Sequence, residues 1–205
     1  MYIPEIYKNE NQEEIKQFIN DNGFAILVNQ INDKPWATHI PLILDIDEFG
    51  KEILIGHLSK ENPQAESFKK EKNVLAIFSG PHAYISSSWY DHENVPTWNY
   101  LAVHIYGKVK ILNQEKTLLS LKKLVDKYEA ISVNPIKIEN LSQKTMNQAK
   151  GIVAFEIEIT SIESVKKISQ NRDNKNFENI ISELEKTNET QSKEIAAIMK
   201  KSPRK

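Results

Sequence analysis

Residues 81–100 read PHAYISSSWYDHENVPTWNY, and the argument about fold and function starts from this stretch. It holds two of the three tryptophans, three of the seven tyrosines and two of the five histidines, interleaved with hydroxyl and amide side chains. Such a mixture can stack on a planar aromatic ligand and hydrogen-bond its edges. It would equally suit an ordered aromatic loop that plugs a barrel, and composition alone leaves both interpretations open.

Short apolar strands are predicted on both sides of this stretch, which is itself predicted to be irregular from residue 80 to 100. The predicted strands cover 24–28, 36–44, 52–57, 74–78, 103–112 and 152–162. The predicted helices cover 12–20, 63–72, 115–128 and 177–199, the last broken near Asn188. Because strands outnumber helices and the spacers are short, we expect an α+β, mainly β fold: an antiparallel sheet or barrel with peripheral helices.

Composition excludes several classes of protein. The chain has 205 residues, of which 40% are hydrophobic and 27% charged, so it is long enough to bury a core. No apolar run approaches the length of a membrane-spanning helix, and the first residues do not resemble a secretory signal. The absence of cysteine excludes disulfides, thiolate zinc sites and a cysteine nucleophile. We therefore expect a cytoplasmic protein without a membrane partner.

Charge is distributed unevenly. The net charge is −1, but the segment from Lys166 onward carries ten basic and six acidic residues. This basic tail could contact phosphates, although ten cations spread among acids are more typical of a solvated helical surface. The sequence has no recognisable helix-turn-helix, so direct DNA binding by the barrel is disfavoured and only the tail offers a route to it.

Glycine spacing excludes the common phosphate loops. The six glycines include neither a G-x-G-x-x-G motif nor a P-loop, so side chains or a helix N-terminus would have to hold any phosphate. Two blocks offer such groups, ATHIP at 37–41 and GHLSKENPQ at 56–64. In the second block Lys60 precedes Asn62-Pro63, a typical helix start. The alternative is that this junction is only a capped helix.

The remaining catalytic motifs are not present. The histidines occur in neither H-x-x-x-H nor H-E-x-x-H spacing, so no metal site is predicted. Ser86-Ser87-Ser88 does not lie in a G-x-S-x-G elbow, which disfavours a serine hydrolase. No catalytic residue is assigned from the sequence.

Several motifs together resemble the PaiB family of FMN-binding negative transcriptional regulators. They are PHAYISSSWY, VPTWNY, VHIYGK, ATHIP, GHLSKENPQ and KISQNR (167–172), and they span almost the whole chain. The resemblance implies an FMN-binding split β-barrel, the fold of pyridoxamine-phosphate oxidases. The helical patterns described above add peripheral helices and a C-terminal helical appendage to this expected barrel. The resemblance further implies a homodimer with FMN between the subunits. Glu61 departs from the family pattern, which has a small residue there.

The resemblance also suggests a set of cofactor-binding residues. Lys60, Ser59 and Asn62 are expected to hold the FMN phosphate, and the ring is expected to lie against the 82–100 segment. The full expected set is Thr38, His39, His57, Ser59, Lys60, Asn62, Gln64, His82, Tyr84, Ser86, Ser87, Trp89, Trp98 and Asn99. FMN is the expected cofactor, while haem or another planar ligand stays open.

Two functions follow as expectations. The first is an FMN-binding regulator that represses sporulation and degradative-enzyme genes without a helix-turn-helix; the alternative is a flavin-dependent reductase or oxidase of the same fold. The domains are expected to be a flavin-binding barrel at 1–172 and a helical appendage at 173–205.

Overall fold

A computed structural model describes residues 1–202 of the chain. The strands in that range are β1 (Phe24–Ile31), β2 (Lys34–Pro41), β3 (Ile43–Ile46), β4 (Glu52–Ser59), β5 (Asn73–Ile85), β6 (Thr97–Ile111) and β7 (Ile152–Lys167). The helices are α1 (Gln12–Asp21), α2 (Pro63–Ser67), α3 (Gln114–Glu129), α4 (Gln143–Met146), α5 (Asn174–Lys186) and α6 (Thr190–Lys201). Short 3₁₀ turns lie at Glu5–Tyr7, Ser87–Trp89, Ile138–Asn140 and Asn147–Gly151. None of the helices within residues 1–202 is long and apolar enough to cross a membrane.

The strands form one sheet in the order β2-β1-β5-β6-β7-β4-β3. β1 pairs antiparallel with β2 from Phe24↔Pro41 to Ile31↔Lys34, and β4 pairs antiparallel with both β3 and β7. The β1–β2 hairpin closes through Asn32 and Asp33, whose positive φ angles suit the tight turns that match strand twist. Pro41 ends an edge strand, where a missing N–H costs no ladder bond. The predicted α+β, mainly β class is therefore confirmed.

The chain divides into two compact units. The first unit contains residues 1–18, 78–104 and the chain from 163 onward, and the second contains 19–77 and 105–162. This grouping differs from the boundary expected at residue 173, because α5 and α6 share a core with residues of β5. Residues 203–205 of the expected appendage lie outside the described part of the chain.

The core of the first unit is built largely from helical residues. Phe177, Ile180, Ile181 and Leu184 recur at helical spacing on α5, so they form one buried stripe. The cluster is completed by α6 and by β-strand and loop residues: Ala83, Ile85, Tyr90, Ile168, Ile195, Ala196 and Met199. The predicted break between the two C-terminal helices is confirmed, since α5 ends at Lys186 and α6 begins at Thr190.

The core of the second unit is aliphatic with one aromatic pair. Phe68 and Phe155 are fully buried and meet edge to face, with ring centroids 5.2 Å apart. Gly107, within the VHIYGK motif, allows β6 to approach its neighbour closely. A Cβ on Gly107 would lie 2.4 Å from Ile157 Cγ2 and 2.5 Å from the Glu158 carbonyl oxygen, so this position requires glycine.

Two sequence-based predictions about secondary structure are wrong. The 80–100 segment is not irregular throughout, because β5 continues to Ile85 and β6 already begins at Thr97. The Gly80-Pro81 pair does not end β5; a Cβ at Gly80 would meet the Phe18 ring at 2.5 Å, so glycine is needed for packing there. The helix predicted to reach Lys72 ends at Ser67, whose carbonyl accepts the N–H groups of Lys70 and Glu71 in a turn.

Candidate functional site

In the second unit, β2, β4 and α2 bring part of the predicted site together. The Asn62 side chain caps α2 by accepting the Gln64 N–H at 3.0 Å, and it donates to Thr38 Oγ1 on β2, also at 3.0 Å. Ser59 Oγ, at the end of β4, accepts the Glu61 N–H at 3.2 Å. These hydrogen bonds connect β2, the end of β4 and the start of α2 around the turn that contains Lys60.

Lys60 presents an available cation at this turn. Its backbone N–H donates to the Gly151 carbonyl at 2.9 Å, which fixes the main chain. Its side chain is exposed, and within residues 1–202 it forms neither an ion pair nor a hydrogen bond. A fixed backbone with an unpaired ammonium is suited to an anionic ligand.

Gln64 belongs to α2, which follows this turn, and is completely buried. Its Nε2 donates to the Leu27 carbonyl at 3.0 Å and to Asn29 Oδ1 at 3.1 Å, and these two acceptors fix the orientation of the amide. Its Oε1 is buried and has no hydrogen-bond partner in the described part of the chain. Gln64 therefore has one buried acceptor whose hydrogen-bonding capacity is not met within residues 1–202.

The two histidines of this group differ in environment. His57 on β4 is half-buried, and burial lowers the pKa of its imidazole below the usual value. His39 on β2 is exposed and stacks on Phe24, with ring centroids 6.1 Å apart. His57 is therefore held as a neutral ring near neutral pH.

In the first unit, β5 and β6 present an aromatic surface formed by His82, Tyr84 and Trp98. The Trp98 ring lies 5.8 Å from Tyr84 in an edge contact and 5.9 Å from His82. His82 and Tyr84 alternate with the buried Ala83 and Ile85 along β5, as a strand requires. Tyr84 is 47% and Trp98 52% exposed, so the rings can accept a further planar partner.

The other predicted residues of this unit are engaged in internal contacts. Asn99 is completely buried and accepts from Ser169 Oγ at 3.0 Å. Trp89 packs against the helical core, and its carbonyl accepts from the Asn179 side chain. Ser86 caps the turn that contains Ser87 by accepting the Ser88 N–H at 3.2 Å. Asn99, Trp89 and Ser86 therefore stabilise the first unit through internal contacts. They do not belong to the ring cluster of His82, Tyr84 and Trp98.

Sequence reasoning missed a polar latch between the 86–97 loop and α5. The Asp91 N–H donates to Asn176 Oδ1 at 3.0 Å, and the Asp91 carboxylate pairs with Lys175 at 2.8 Å. Hydrogen bonds from Lys175, His92 and Asn176 hold the pKa of the Asp91 carboxyl well below its usual range. No spacing rule could have found this latch, because its partners are 85 positions apart.

The KISQNR motif (167–172) connects β7 to α5. It is the motif that the sequence analysis singled out near the start of α5. Lys167 donates to Thr97 Oγ1, and the Arg172 guanidinium lies 5.0 Å from the Tyr90 ring centroid. Burial, together with the charge of Arg172, lowers the pKa of Lys167. Ser169 adopts a positive φ of 60° at the bend, so the motif shapes the connection.

No group of three or more His, Asp or Glu side chains in residues 1–202 is arranged to hold a metal ion.

Comparison with known proteins gives three kinds of likeness. Residues 1–161 match a protein family described as "Putative FMN-binding domain". The chain is 41% identical over 204 residues to "Protease synthase and sporulation protein PAI 2" of Bacillus subtilis, covering 97% of this chain and 96% of that one. The motif-based resemblance to the PaiB family is thus confirmed.

Solved structures share the fold. The FAD and heme binding protein of Mycobacterium smegmatis superposes with a TM-score of 0.62 at 13% identity, covering 78% of this chain and 73% of its own. The flavocytochrome Anf3 of Azotobacter vinelandii superposes with a TM-score of 0.63 at 14% identity, covering 81% and 72%. This likeness concerns the fold alone, and the predicted split-barrel class is confirmed.

Proposed function

The chain belongs to the FMN-binding domain family, and on that basis we propose that it is a cytoplasmic, homodimeric FMN-binding protein that acts as a negative regulator of transcription. The observation that carries the FMN proposal is the Lys60 turn, where an unpaired ammonium lies between a strand end and a capped helix start. When bound, FMN would supply a ring that accepts and returns electrons.

The Lys60 turn fits a phosphate in charge and in hydrogen-bonding groups. Lys60 offers a cation, and Ser59 and Thr38 offer hydroxyls on either side of the turn. Ionic hydrogen bonds of this kind are worth roughly 1.5–3 kcal/mol each. Because the glycine loops that usually cradle phosphates are missing from the sequence, side chains of this type would have to supply the affinity.

The buried Gln64 also fits the cofactor. Its Oε1 is an acceptor without a partner in the described residues, and leaving such a group unmatched costs roughly 1–3 kcal/mol. The ribityl chain of FMN carries hydroxyl donors that could meet it. His57, held neutral by burial, could accept or donate one further hydrogen bond without adding charge.

The aromatic surface of the first unit is proposed, independently of the Lys60 turn, as a surface on which a planar ring can stack. Tyr84 and Trp98 are each about half exposed and lie in an edge contact 5.8 Å apart, so together they form an apolar patch that a planar partner could cover. Two occupants suit it, the isoalloxazine ring and a second subunit. We propose that both flavin binding and dimer formation use residues of the 82–100 segment.

The regulatory role is supported by the Bacillus relative, which is named for protease synthesis and sporulation. In the tail, Lys166, Lys175, Lys186 and Lys200 each pair with a glutamate or aspartate, which weakens any basic patch. We propose that repression therefore proceeds without direct operator binding by this chain.

Anaerobic absorbance spectroscopy tests the proposal. Purified protein loaded with FMN is mixed with NADH or NADPH in the absence of oxygen, and the flavin band is followed. We expect a yellow protein whose band bleaches no faster than that of free FMN. Rapid bleaching would instead support the flavin-dependent reductase or oxidase, and a failure to retain FMN would overturn both functions.

A further inference from the structure

A cavity of about 540 Å³ lies entirely within the second unit. It is bounded by the end of β6, the start of β7, the first turns of α3 and the 143–150 segment that contains α4. Its volume falls within the range of roughly 300–1,000 Å³ that is typical of small-molecule sites. The cavity is therefore large enough for a ligand the size of a bicyclic or tricyclic molecule.

The lining of this cavity is largely apolar. Leu112 and Ile152 lie at the strand ends, Leu118 comes from α3 and Met146 from α4. The Leu112 N–H donates to the Ala154 carbonyl at 2.9 Å, so the strand ends that form the floor are fixed by a backbone hydrogen bond. Met146 has a flexible, polarizable side chain that adapts to the shape of a bound molecule. This lining would accept the apolar body of a ligand.

The charges that line the cavity are all positive. Lys60 and Lys150 are its charged residues, its other polar residues are neutral amides and one hydroxyl, and no carboxylate takes part. Within residues 1–202 neither lysine side chain forms an ion pair. The lining thus combines an apolar floor with two unpaired cations, of which Lys60 is assigned to the FMN phosphate and Lys150 remains for a further ligand.

A second cavity of the same unit is also lined by lysines and serves as a comparison. That cavity, of about 240 Å³, contains Lys110, Lys116 and Lys123. Each of the three pairs with a carboxylate of the same cavity, as Lys110 does with Glu156 at 2.8 Å. The larger cavity therefore differs from the smaller one in two ways. Its volume is greater, and its lysines have no carboxylate partners.

We propose that the larger cavity is a second small-molecule site, which binds a compound with an apolar body and one anionic group, such as a carboxylate or sulfonate. Lys150 pairs with the anionic group, and the apolar body lies on Leu112, Leu118 and Met146. Lys60 is assigned to the FMN phosphate in the proposed function and is not used as a test residue. The role of this site as the effector site of a regulator rests on the proposed function, whereas the binding itself does not.

Isothermal titration calorimetry with 1-anilinonaphthalene-8-sulfonate, an aromatic anion, tests the site on the full chain loaded with FMN. We expect one molecule bound per chain. Because the proposed ligand carries one negative charge, whereas a phosphate carries up to two, Lys150→Ala should weaken binding by only about three- to tenfold, and Lys150→Glu by more. Lys150→Arg should keep the affinity, and Lys144→Ala, an exposed lysine of α4 outside the lining, serves as the matched control.

The outcomes separate this site from the cofactor's site. Equal affinity in FMN-loaded and flavin-free protein, together with the loss in Lys150→Glu, supports the proposal. Displacement of the probe by FMN would overturn it, because the cavity would then belong to the flavin. Equal weakening by Lys144→Ala, or the absence of stoichiometric binding, would overturn it as well. If the chain fails to bind FMN at all, the proposed function fails while the Lys150 variants still test the cavity.

Discussion

At the scale of single residues, the protein offers an anion two features on one short turn. Lys60 supplies an ammonium without a counter-ion in residues 1–202, and Asn62 orders the turn by capping α2 while holding Thr38. Charge and order are both needed, because a fixed backbone leaves only the Lys60 side chain to be ordered on binding. The residue that follows, Glu61, is exposed and carries the opposite charge.

Replacing Lys60 by alanine should weaken FMN binding by about ten- to a hundredfold, the equivalent of one ionic hydrogen bond. Quenching of flavin fluorescence during titration measures the dissociation constant. Lys70→Ala, which removes another exposed lysine outside the turn, should leave it unchanged. Glu61→Ala should bind FMN equally or more tightly, since it removes a negative charge beside the phosphate. Unchanged affinity in Lys60→Ala would remove this residue from the site.

The aromatic surface gives a second prediction at this scale. Trp98→Ala and Tyr84→Ala should each lower the fraction of protein that carries FMN while the subunit number stays the same, because stacking on an exposed ring contributes about 1 kcal/mol or more. Phe49→Ala, at an exposed hairpin turn, is the control. The flavin-to-protein absorbance ratio and light scattering provide the two readouts. Full occupancy with an intact dimer in both variants would show that these rings do not bind the flavin.

The buried histidines predict how stability depends on pH. Burial lowers the pKa of His57, and burial together with the N-terminal ammonium lowers that of His104. As pH falls below about 6.5, the unfolded chain therefore binds more protons than the folded chain. The free energy of unfolding should consequently decrease from pH 7 to pH 5. In urea titrations of flavin-free protein, the double variant His57→Gln/His104→Gln should show a flatter decrease. An unchanged slope would exclude these two groups as its source.

At the scale of elements, α5 and α6 belong to the core of the first unit. Leu184 and Ile195 are completely buried in one cluster with Ile85 of β5. The helices contact each other, and α5 also contacts the 3₁₀ turn at Ser87–Trp89, which comes shortly after β5. Their apolar stripes thus have partners in the same chain, and the helices are needed to cover the strand.

Leu184→Ala should lower the free energy of unfolding by about 2–5 kcal/mol, the usual cost of a large-to-small change at a fully buried site. Glu194→Ala, an exposed substitution on α6, should change it by less than about 0.5 kcal/mol. Deleting 190–205 removes Ile195, Ala196 and Met199 from the cluster, so we expect the shortened chain to aggregate. A soluble, yellow truncation would contradict this and would support the appendage boundary expected near residue 173.

The elements also show which features the sequence could predict. The strand at 152–162 was predictable because its residues alternate with the period of two that a sheet imposes. The strand at 24–28 was predictable because a short uninterrupted apolar run is typical of a buried strand. The continuation of β5 through Gly80-Pro81 was not, because a strand-breaking pair is tolerated there by packing against Phe18. The buried roles of Asn99 and Gln64 depend on partners more than 30 positions away, which no local pattern contains.

At the scale of the whole molecule, charge distribution limits the partners that the protein can bind. Four of the tail's ten cations pair with acids within residues 1–202, and six acidic residues lie in the same segment, so we expect only weak salt-sensitive binding to DNA. Fluorescence anisotropy with a labelled duplex, recorded at two salt concentrations, measures this directly. Tight binding that falls steeply with salt would show that the tail cations are available and would contradict repression without direct operator contact.

Native mass spectrometry of the freshly purified full chain tests the central claim, FMN binding by this family member, most directly. We predict a dimer of the 23.6 kDa chain that carries two FMN molecules and loses occupancy in Lys60→Ala. A chain that stays free of flavin after incubation with excess FMN, or one that binds a different planar ligand in its place, would contradict the account.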